Sequence, residues 1–485
     1  MKKCKIIIKD EVNCKVEGLD LNTRKKCEAK LKFFMAYAYH VPAYKLGRWD
    51  GCVSFFSVGG VTYVNLLDKV LPIIMEAGYT FDIDDLRQET GTLDFAAVSE
   101  ETFAHKTWPK NHPIEGEPVV LRDYQIEIVN KFLTTPQCLQ EIATGAGKTL
   151  ITAALSDAVE QYGRSIVIVP NKDLVRQTHE DYVNLGLDVG VYFGDKKELG
   201  KTHTICTWQS LNSIKKRFRD GIDDMSLKDF SEDVICVIVD EVHQAKADVL
   251  KDMLTKEFAH IPLRWGLTGT IPKEDHAKVS LQACLGEVTN RLSASTLQDM
   301  GVLSNCHVNV VQLKETAIYN DYQSELKYLT TDKARMDYLS KFIQEVATTG
   351  NTLVLVDRIA SGEIIAENIP DVTFVKGAMK VIDRKEAYDE INDATNSITV
   401  ATYGVAAVGI NIPRIFNMVL LEPGKSFVRV IQSIGRGVRK ADDKDFVQIW
   451  DITSTAKFSK KHLTERKKFY KEANYPFTIE KTDWR

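Results

Sequence analysis

The sequence predicts an α/β protein in which sheets of parallel strands are covered by helices, arranged as two lobes behind a small α+β domain. Two observations carry that expectation. Short apolar, β-branched runs at 165–169, 234–239, 352–356, 397–401, 418–421 and 446–450 alternate with amphipathic stretches such as Leu150–Tyr162 and Asp173–Leu185. Strands buried on both faces read as continuous apolar runs, and the crossovers between them read with helical period. The second observation is a glycine-rich turn, Ala143-Thr-Gly-Ala-Gly-Lys-Thr149, between the β-prone run Cys138–Ile142 and the helical run Leu150–Tyr162. Strand, glycine turn and helix in that order make a P-loop, a phosphate site.

The elements follow in order. In residues 1–85, Lys5–Ile8 and Cys14–Val16 read as strands, and Asn22 or Thr23 caps a helix running to about Tyr39. Val53–Phe56 and Val61–Asn65 flank Gly59-Gly60 as a hairpin. The acidic stretch from Asp82 to Glu117, broken by Pro109 and Pro113 and followed by Pro118, reads as a linker, assigned to 86–117. The first lobe is expected at 118–312 and the second at 313–455, divided at a polar, helical stretch of about 313–350. A basic helix is expected at 456–485, with Lys457, Lys460, Lys461, Arg466, Lys467, Lys468 and Lys471.

At 485 residues and 44% apolar composition, disorder is excluded and about three domains are accommodated. A net charge of −4 rules out a global field for polyanions, so any nucleic-acid surface must be local. Residues 1–50 supply such a patch, with twelve Lys/Arg against six Asp/Glu. The nine cysteines are scattered, without a C-x-x-C pair, which speaks against a zinc cluster or disulfide framework and for a reducing cytoplasm. The first apolar run stops at Lys9-Asp10, and no stretch approaches eighteen apolar residues. The expectation is a soluble, non-exported, cytoplasmic protein with no membrane partner.

In the P-loop, Thr144, Gly145, Ala146 and Gly147 let backbone N–H groups close around phosphates. Lys148 neutralises the β/γ oxygens, and the Thr149 hydroxyl is a ligand for Mg²⁺. Val234-Ile-Cys-Val-Ile-Val-Asp240-Glu241-Val-His243 then places two carboxylates at the tip of an apolar strand. In-line phosphoryl transfer needs a metal ligand and a base on opposite sides of the γ-phosphate, which assigns Asp240 to the metal and Glu241 to the attacking water. His243 follows as a coupling residue. ATP and Mg²⁺ are therefore the expected cofactors.

With these elements in place, region 118–452 resembles helicase superfamily two motif by motif, in its D-E-x-H branch, which implies two RecA-like lobes. Leu121-Arg-Asp-Tyr-Gln125 resembles the adenine-reading element, with Gln125 on the base. Val169-Pro-Asn-Lys-Asp-Leu-Val-Arg-Gln177 and Thr207-Trp-Gln-Ser-Leu211 resemble strand-gripping segments, with Thr207 and Gln209 as contacts. Leu267-Thr268-Gly269-Thr270 resembles the motif linking hydrolysis to lobe movement. In the second lobe, Leu353–Arg358 resembles the fourth motif, with Arg358 and Thr402 as nucleic-acid contacts. Ala401–Asn411 resembles the fifth, with Gly409 and Asn411 at the nucleotide, and Asn411 stands where many relatives carry Asp. Gln432-Ser-Ile-Gly-Arg436-Gly-Val-Arg439 resembles the sixth, implying Arg436 and Arg439 as arginine fingers and Gln432 as a coupling residue.

Lys45-Leu-Gly-Arg-Trp-Asp-Gly51, ahead of such a motor, is similar to the phage UvsW-type helicases. That resemblance implies an accessory DNA-binding domain, and the basic Arg24–Lys32 helix and the Arg48-Trp49 corner offer Lys25, Lys26 and Arg48 as candidate contacts for duplex phosphates. It also implies remodelling of forks, Holliday junctions and R-loops in recombination, repair and replication restart, in a bacterial host's cytoplasm, beside single-strand-binding or recombination proteins. The motor of a restriction or nuclease assembly and an RNA helicase are the competing readings.

Overall fold

The computed structural model describes residues 2–87, 93–109, 115–242, 247–376, 379, 393–405, 414–425, 441 and 443–485. The chain divides into two compact units, Met1–Ile142 with Gly147–Arg291, and Ala143–Ala146 with Leu292–Arg485. Mixed α/β architecture with parallel sheets is as expected.

The first unit opens with a four-stranded sheet in the order Val61–Tyr63, Asn13–Glu17, Lys2–Ile8, Tyr79–Asp85. Lys2–Ile8 runs antiparallel to Asn13–Glu17 and parallel to Tyr79–Asp85. Cys4, Ile6 and Ile8 alternate inward, as a half-buried strand requires, and pack with Cys27, Val70 and Ile74 of the covering helices. Several local readings change. Asp20, not Asn22 or Thr23, caps the helix Leu21–Lys30, accepting the Thr23 N–H at 2.8 Å. That helix ends well before Tyr39, because Lys32–Phe34 leaves to pair with Cys52–Ser54, where aromatic side chains gain cross-strand neighbours. Val61–Tyr63 pairs with Asn13–Glu17 instead of folding back on the preceding run. A Cβ on Gly60 (φ 86°) would meet the Val16 carbonyl at 2.1 Å, so this glycine permits a close strand approach.

Residues 93–109, expected within a linker, are strapped to the first lobe. Val98 and Phe103 are buried. The Asn130 amide accepts the Val98 N–H at 2.8 Å and donates to its carbonyl at 2.9 Å, satisfying that backbone without a sheet. Phe95 packs edge-on against Tyr162 and Trp265.

An eight-stranded sheet of described residues follows, in the order Lys196–Lys197, Val189–Phe193, His203–Thr207, Arg164–Val169, Val234–Asp240, Leu263–Thr268, Gln137–Ile142, Glu287–Leu292. Its central pairings are parallel. One covering face buries Ile166, Ile168, Val237 and Val239 against Leu211, Leu250 and Leu254.

The second unit holds a seven-stranded sheet in the order Thr373–Val375, Ile398–Thr402, Thr352–Val356, Asn417–Leu421, Phe446–Ser454, Asn305–Leu313, Phe477–Thr482. The described pairings within it are parallel. Two boundaries expected from the sequence therefore move. A division at 312/313 would cut the strand Asn305–Leu313 from its partner Phe446–Ser454. The stretch 456–485 is not a helix alone, since Lys457–Glu472 is followed by Phe477–Thr482, which joins the same sheet. Both shifts come from pairings with residues far away in sequence, which no local pattern announces. Among the described residues no helix is long and apolar enough to cross a membrane.

Candidate ATP and nucleic-acid site

The P-loop leaves the strand Gln137–Ile142 and enters the helix Lys148–Val159. Gly147, at the helix start, has φ 78°, and Gly145 has φ 91°. A β-carbon would be strained at either position. At Gly147 it would also come 2.5 Å from Gln125 Nε2. Gln125 is 4% exposed, and its Oε1 accepts the Arg122 N–H at 3.0 Å. The proposed adenine reader thus caps its own helix, Asp123–Leu133, and leans on the P-loop.

Leu263–Thr268 lies between the P-loop strand and the strand Val234–Asp240. Their parallel register brings Lys148, the Asp240-Glu241 pair and Thr268–Thr270 to the carboxyl-terminal edge of the sheet, where open α/β sheets bind ligands. Lys148 Nζ donates to Glu241 Oε1, and both side chains are about nine-tenths buried. The other Glu241 oxygen accepts the Gly269 N–H at 3.2 Å. Glu241 itself sits at φ 51°, a left-handed conformation held by its N–H on Asp240 Oδ1 at 2.8 Å. The Thr268 hydroxyl donates to the Thr270 carbonyl at 2.8 Å and accepts the Thr270 N–H at 3.3 Å. One carboxylate therefore ties the P-loop lysine to the Thr268–Thr270 turn.

Asp240 is half-buried at the strand tip and Thr149 half-buried in the first helical turn. Their hard oxygens suit Mg²⁺, which takes few protein ligands and completes its shell with phosphate and water. Among the described residues no group of three or more His, Cys, Asp or Glu side chains is placed to hold a metal ion.

A second concavity of about 740 Å³ is lined by Asn171, Lys172, Thr207, Gln209, Ser210 and neighbours. Asn171 caps the helix Lys172–Asn184 through the N–H groups of Asp173 and Leu174, each at 3.0 Å. Thr207 caps Trp208–Arg219 through the Ser210 N–H at 3.2 Å. Gln209 Nε2 donates to the Pro170 carbonyl at 3.4 Å, tying the two segments together. Paired helix N-termini favour phosphate oxygens. Arg217, also in the lining, is already bonded to Asp223.

The remaining expected contacts lie elsewhere. Lys25 and Lys26 are exposed on Leu21–Lys30, and Arg48 is exposed near Trp49. Trp49 packs beside Tyr37, and its indole N–H donates to the Cys52 carbonyl at 2.8 Å. In the second unit, Thr402 closes the strand Ile398–Thr402 and accepts the Val405 N–H at 3.4 Å. Arg358 donates to Gln323 at 2.6 Å. His243, Gly409, Asn411, Gln432, Arg436 and Arg439 lie outside the described residues. Sequence reasoning missed Arg264, a buried cation inside the apolar strand that ends at Thr268. It donates to the carbonyls of Leu254, Phe258 and Cys284, and a lone charge within an apolar run was the signal.

Fold and site together define a P-loop ATPase with two parallel-sheet lobes. Residues 118–273 match the family described as type III restriction enzyme, res subunit, and residues 334–441 match the helicase conserved C-terminal domain. The chain is 24% identical over 456 residues to the ATP-dependent DNA helicase uvsW of Enterobacteria phage T4, covering 90% of this chain and 87% of that one. It is 22% identical to the DNA 3'-5' helicase XPB of Kineococcus radiotolerans, covering 75% of this chain and 65% of that one. Among solved structures it is similar to the type ISP restriction-modification enzyme LlaBIII bound to DNA, with a TM-score of 0.57 at 15% identity, over 93% of this chain and 39% of that one. The chain belongs to the superfamily two helicases and is an ATP-dependent enzyme with the layout of the phage UvsW type.

Proposed function

We propose that this helicase acts on DNA and remodels branched substrates such as forks, Holliday junctions and R-loops, in recombination, repair and replication restart within a bacterial host's cytoplasm. The observation that carries the ATPase half is the Lys148–Glu241–Gly269 linkage at one sheet edge. Similarity to a phage DNA helicase over 90% of the chain supports the substrate. In this reading Lys148 holds the β/γ oxygens, Gln125 the adenine, Gly409 and Asn411 the sugar side, and Thr149 with Asp240 a Mg²⁺ ion that offsets phosphate charge. Glu241 takes a proton from water as its oxygen bonds the γ-phosphorus and the bridging oxygen leaves with ADP. Arg436 and Arg439 stabilise the charge on the transferring group. His243, Thr268, Gly269, Thr270 and Gln432 pass the change in phosphate contacts on to the lobes. The helix N-termini at Asn171 and Thr207, with Gln209, Arg358 and Thr402, hold the strand backbone, and Lys25, Lys26 and Arg48 hold duplex phosphates. Single-strand-binding or recombination proteins are the expected company.

A second reading, the motor of a restriction assembly, is favoured by the res-subunit match and the LlaBIII likeness. Steady-state ATP turnover with single-stranded, duplex and forked DNA and matched RNA, beside Lys148→Ala, separates these readings. Strongest stimulation by forked DNA and a dead variant are expected. Indifference to DNA would overturn the substrate assignment, stimulation by RNA alone would point to an RNA helicase, and co-purification of an endonuclease would favour the restriction motor.

A further inference from the structure

The stretch 29–49 carries six aromatic residues among twenty-one, against 9% for the chain, together with four Lys/Arg and no Asp or Glu. It passes through the strand Lys32–Phe34, the 3-10 turn Ala36–His40 and the short helix Pro42–Lys45, then returns at Cys52–Ser54. Neighbouring residues of a strand point to opposite faces. Phe33 takes the inner face, edge-on to Phe55 with ring centres 6.0 Å apart, and lines a groove with Val279 of the first lobe. Phe34 consequently takes the outer face. There it forms a closed triad with Tyr39 and Tyr44, at 5.4 and 5.8 Å between ring centres, and Tyr39 lies 5.4 Å from Tyr44. Tyr37 lies 6.3 Å from Trp49. A Cβ on Gly51 (φ 77°) would sit 2.5 Å from the Phe34 ring and 2.9 Å from that of Tyr44, so the triad closes over a position that only glycine can fill.

These rings are fixed by one another and yet are not covered. Phe34, Tyr37 and Tyr39 remain 44%, 50% and 59% exposed. Large apolar side chains grouped on a surface mark a binding site, and the charge around this group selects the ligand. Lys45 and Arg48 are exposed, and neither makes an ion pair among the described residues. The carboxylate that follows them, Asp50, is already taken by Lys32 at 2.8 Å and by the Cys52 N–H at 2.9 Å. Rigid aromatic faces beside free cations, with no competing acid, complement a polyanion that also offers flat rings. A strand with unpaired bases is such a ligand, because each base has a face to stack and each phosphate a charge to neutralise. A closed duplex hides its base faces and leaves the rings unused.

We infer that Phe34, Tyr37 and Tyr39 stack the unpaired bases of a DNA strand, with Lys45 and Arg48 on its phosphates. The inference rests on the DNA reading proposed above and deepens it, since the small domain then holds an unpaired strand as well as duplex phosphates, as a branched substrate presents them together. Stacking accepts every base, so this site carries no sequence preference.

The test uses the full-length chain without nucleotide and reads the fluorescence anisotropy of three labelled probes. These are a deoxythymidine strand of about twenty nucleotides, a strand of equal length and charge that lacks the bases, and a blunt duplex. The parental chain is compared with Tyr37→Ala, Tyr39→Ala and Tyr39→Phe, with thermal unfolding as the check on folding. Each alanine should weaken the base-bearing strand about fivefold or more and leave the duplex within about twofold. Removing the bases should then cost the alanine variants less than it costs the parental chain, which isolates stacking from backbone contacts elsewhere in the protein. Tyr39→Phe keeps the ring and should bind like the parental chain. Parental affinity for the base-bearing strand in a chain carrying both alanines would overturn the platform and leave the DNA reading standing. Equal weakening of all three probes would do the same, by reducing the patch to a backbone contact or a fold defect. A parental dimer that Tyr39→Ala dissociates, seen by sedimentation, would give the patch to a second copy of the chain instead. Failure of the parental chain to bind any of the probes would overturn the DNA reading, and this inference with it.

Discussion

Glu241 joins two motifs that lie far apart in the chain, since its carboxylate meets Lys148, 93 residues earlier, and the backbone of Gly269. Replacing it with Gln keeps the shape and removes the proposed base. Glu241→Gln is therefore expected to bind ATP and to lose on the order of 10²-fold or more in kcat, measured by nucleotide titration beside single-turnover hydrolysis. A variant that hydrolyses ATP at the parental rate would remove Glu241 from the base role. The residue types of this site were readable because triphosphate chemistry demands them in short contiguous runs, Gly145 to Thr149 and Asp240-Glu241. Glu422 was not readable, and Arg264 only as a lone charge in an apolar run, because each earns its place through partners on other elements. The partners of Arg264 are the carbonyls of Leu254 and Cys284, and those of Glu422 are Arg335 and Ser459.

Arg264 shows how elements are set against each other. Its guanidinium holds carbonyls near the C-terminal ends of two helices, Ala247–Thr255 and Asp275–Leu285, where the helix dipole favours a cation. Burial lowers it to about 10, so it stays charged at neutral pH. One helix follows the Asp240-Glu241 motif in sequence and the other follows Thr268–Thr270, so a single side chain ties down the far ends of both. Arg264→Met strands several buried carbonyls and is expected to cost on the order of 3 kcal/mol or more in stability, read by denaturant unfolding. A loss below about 1 kcal/mol would mean that the carbonyls find other partners. At this scale most strands and helices of the motor were legible from period and β-branching. The helix expected to reach Tyr39 was not, because nothing local reveals that Lys32–Phe34 finds Cys52–Ser54.

For the molecule as a whole, the N-terminal sheet is docked on the first lobe, within one compact unit. Asn13 Nδ2 donates to the Thr255 carbonyl at 2.8 Å, and Gln137 Nε2 to the Glu11 carbonyl at 2.8 Å. Asn65 donates to Gln137 at 2.7 Å, and Gln282 to the Asn65 carbonyl at 3.0 Å. Lys251 lies 4.2 Å from the centre of the Phe55 ring, a favourable cation–π arrangement. Ala283 and Val279 extend the small domain's own apolar core. Calorimetry should accordingly show residues 2–85 and the first lobe unfolding in one transition, and Gln137→Ala should lower its midpoint. Two separated transitions would mean that the small domain is an independent module.

Contiguous residues and short periods were enough to read the α/β class, the ATP chemistry and the helicase family, because phosphate binding and sheet burial are written in them. Tertiary structure alone decided that Asn305–Leu313 and Phe477–Thr482 lie side by side in the second lobe's sheet, that the acidic stretch around Val98 and Phe103 is strapped down, and that Arg466 points inward. Those outcomes depend on which distant surfaces meet and exclude water, a property of the folded whole that no window of neighbouring residues contains.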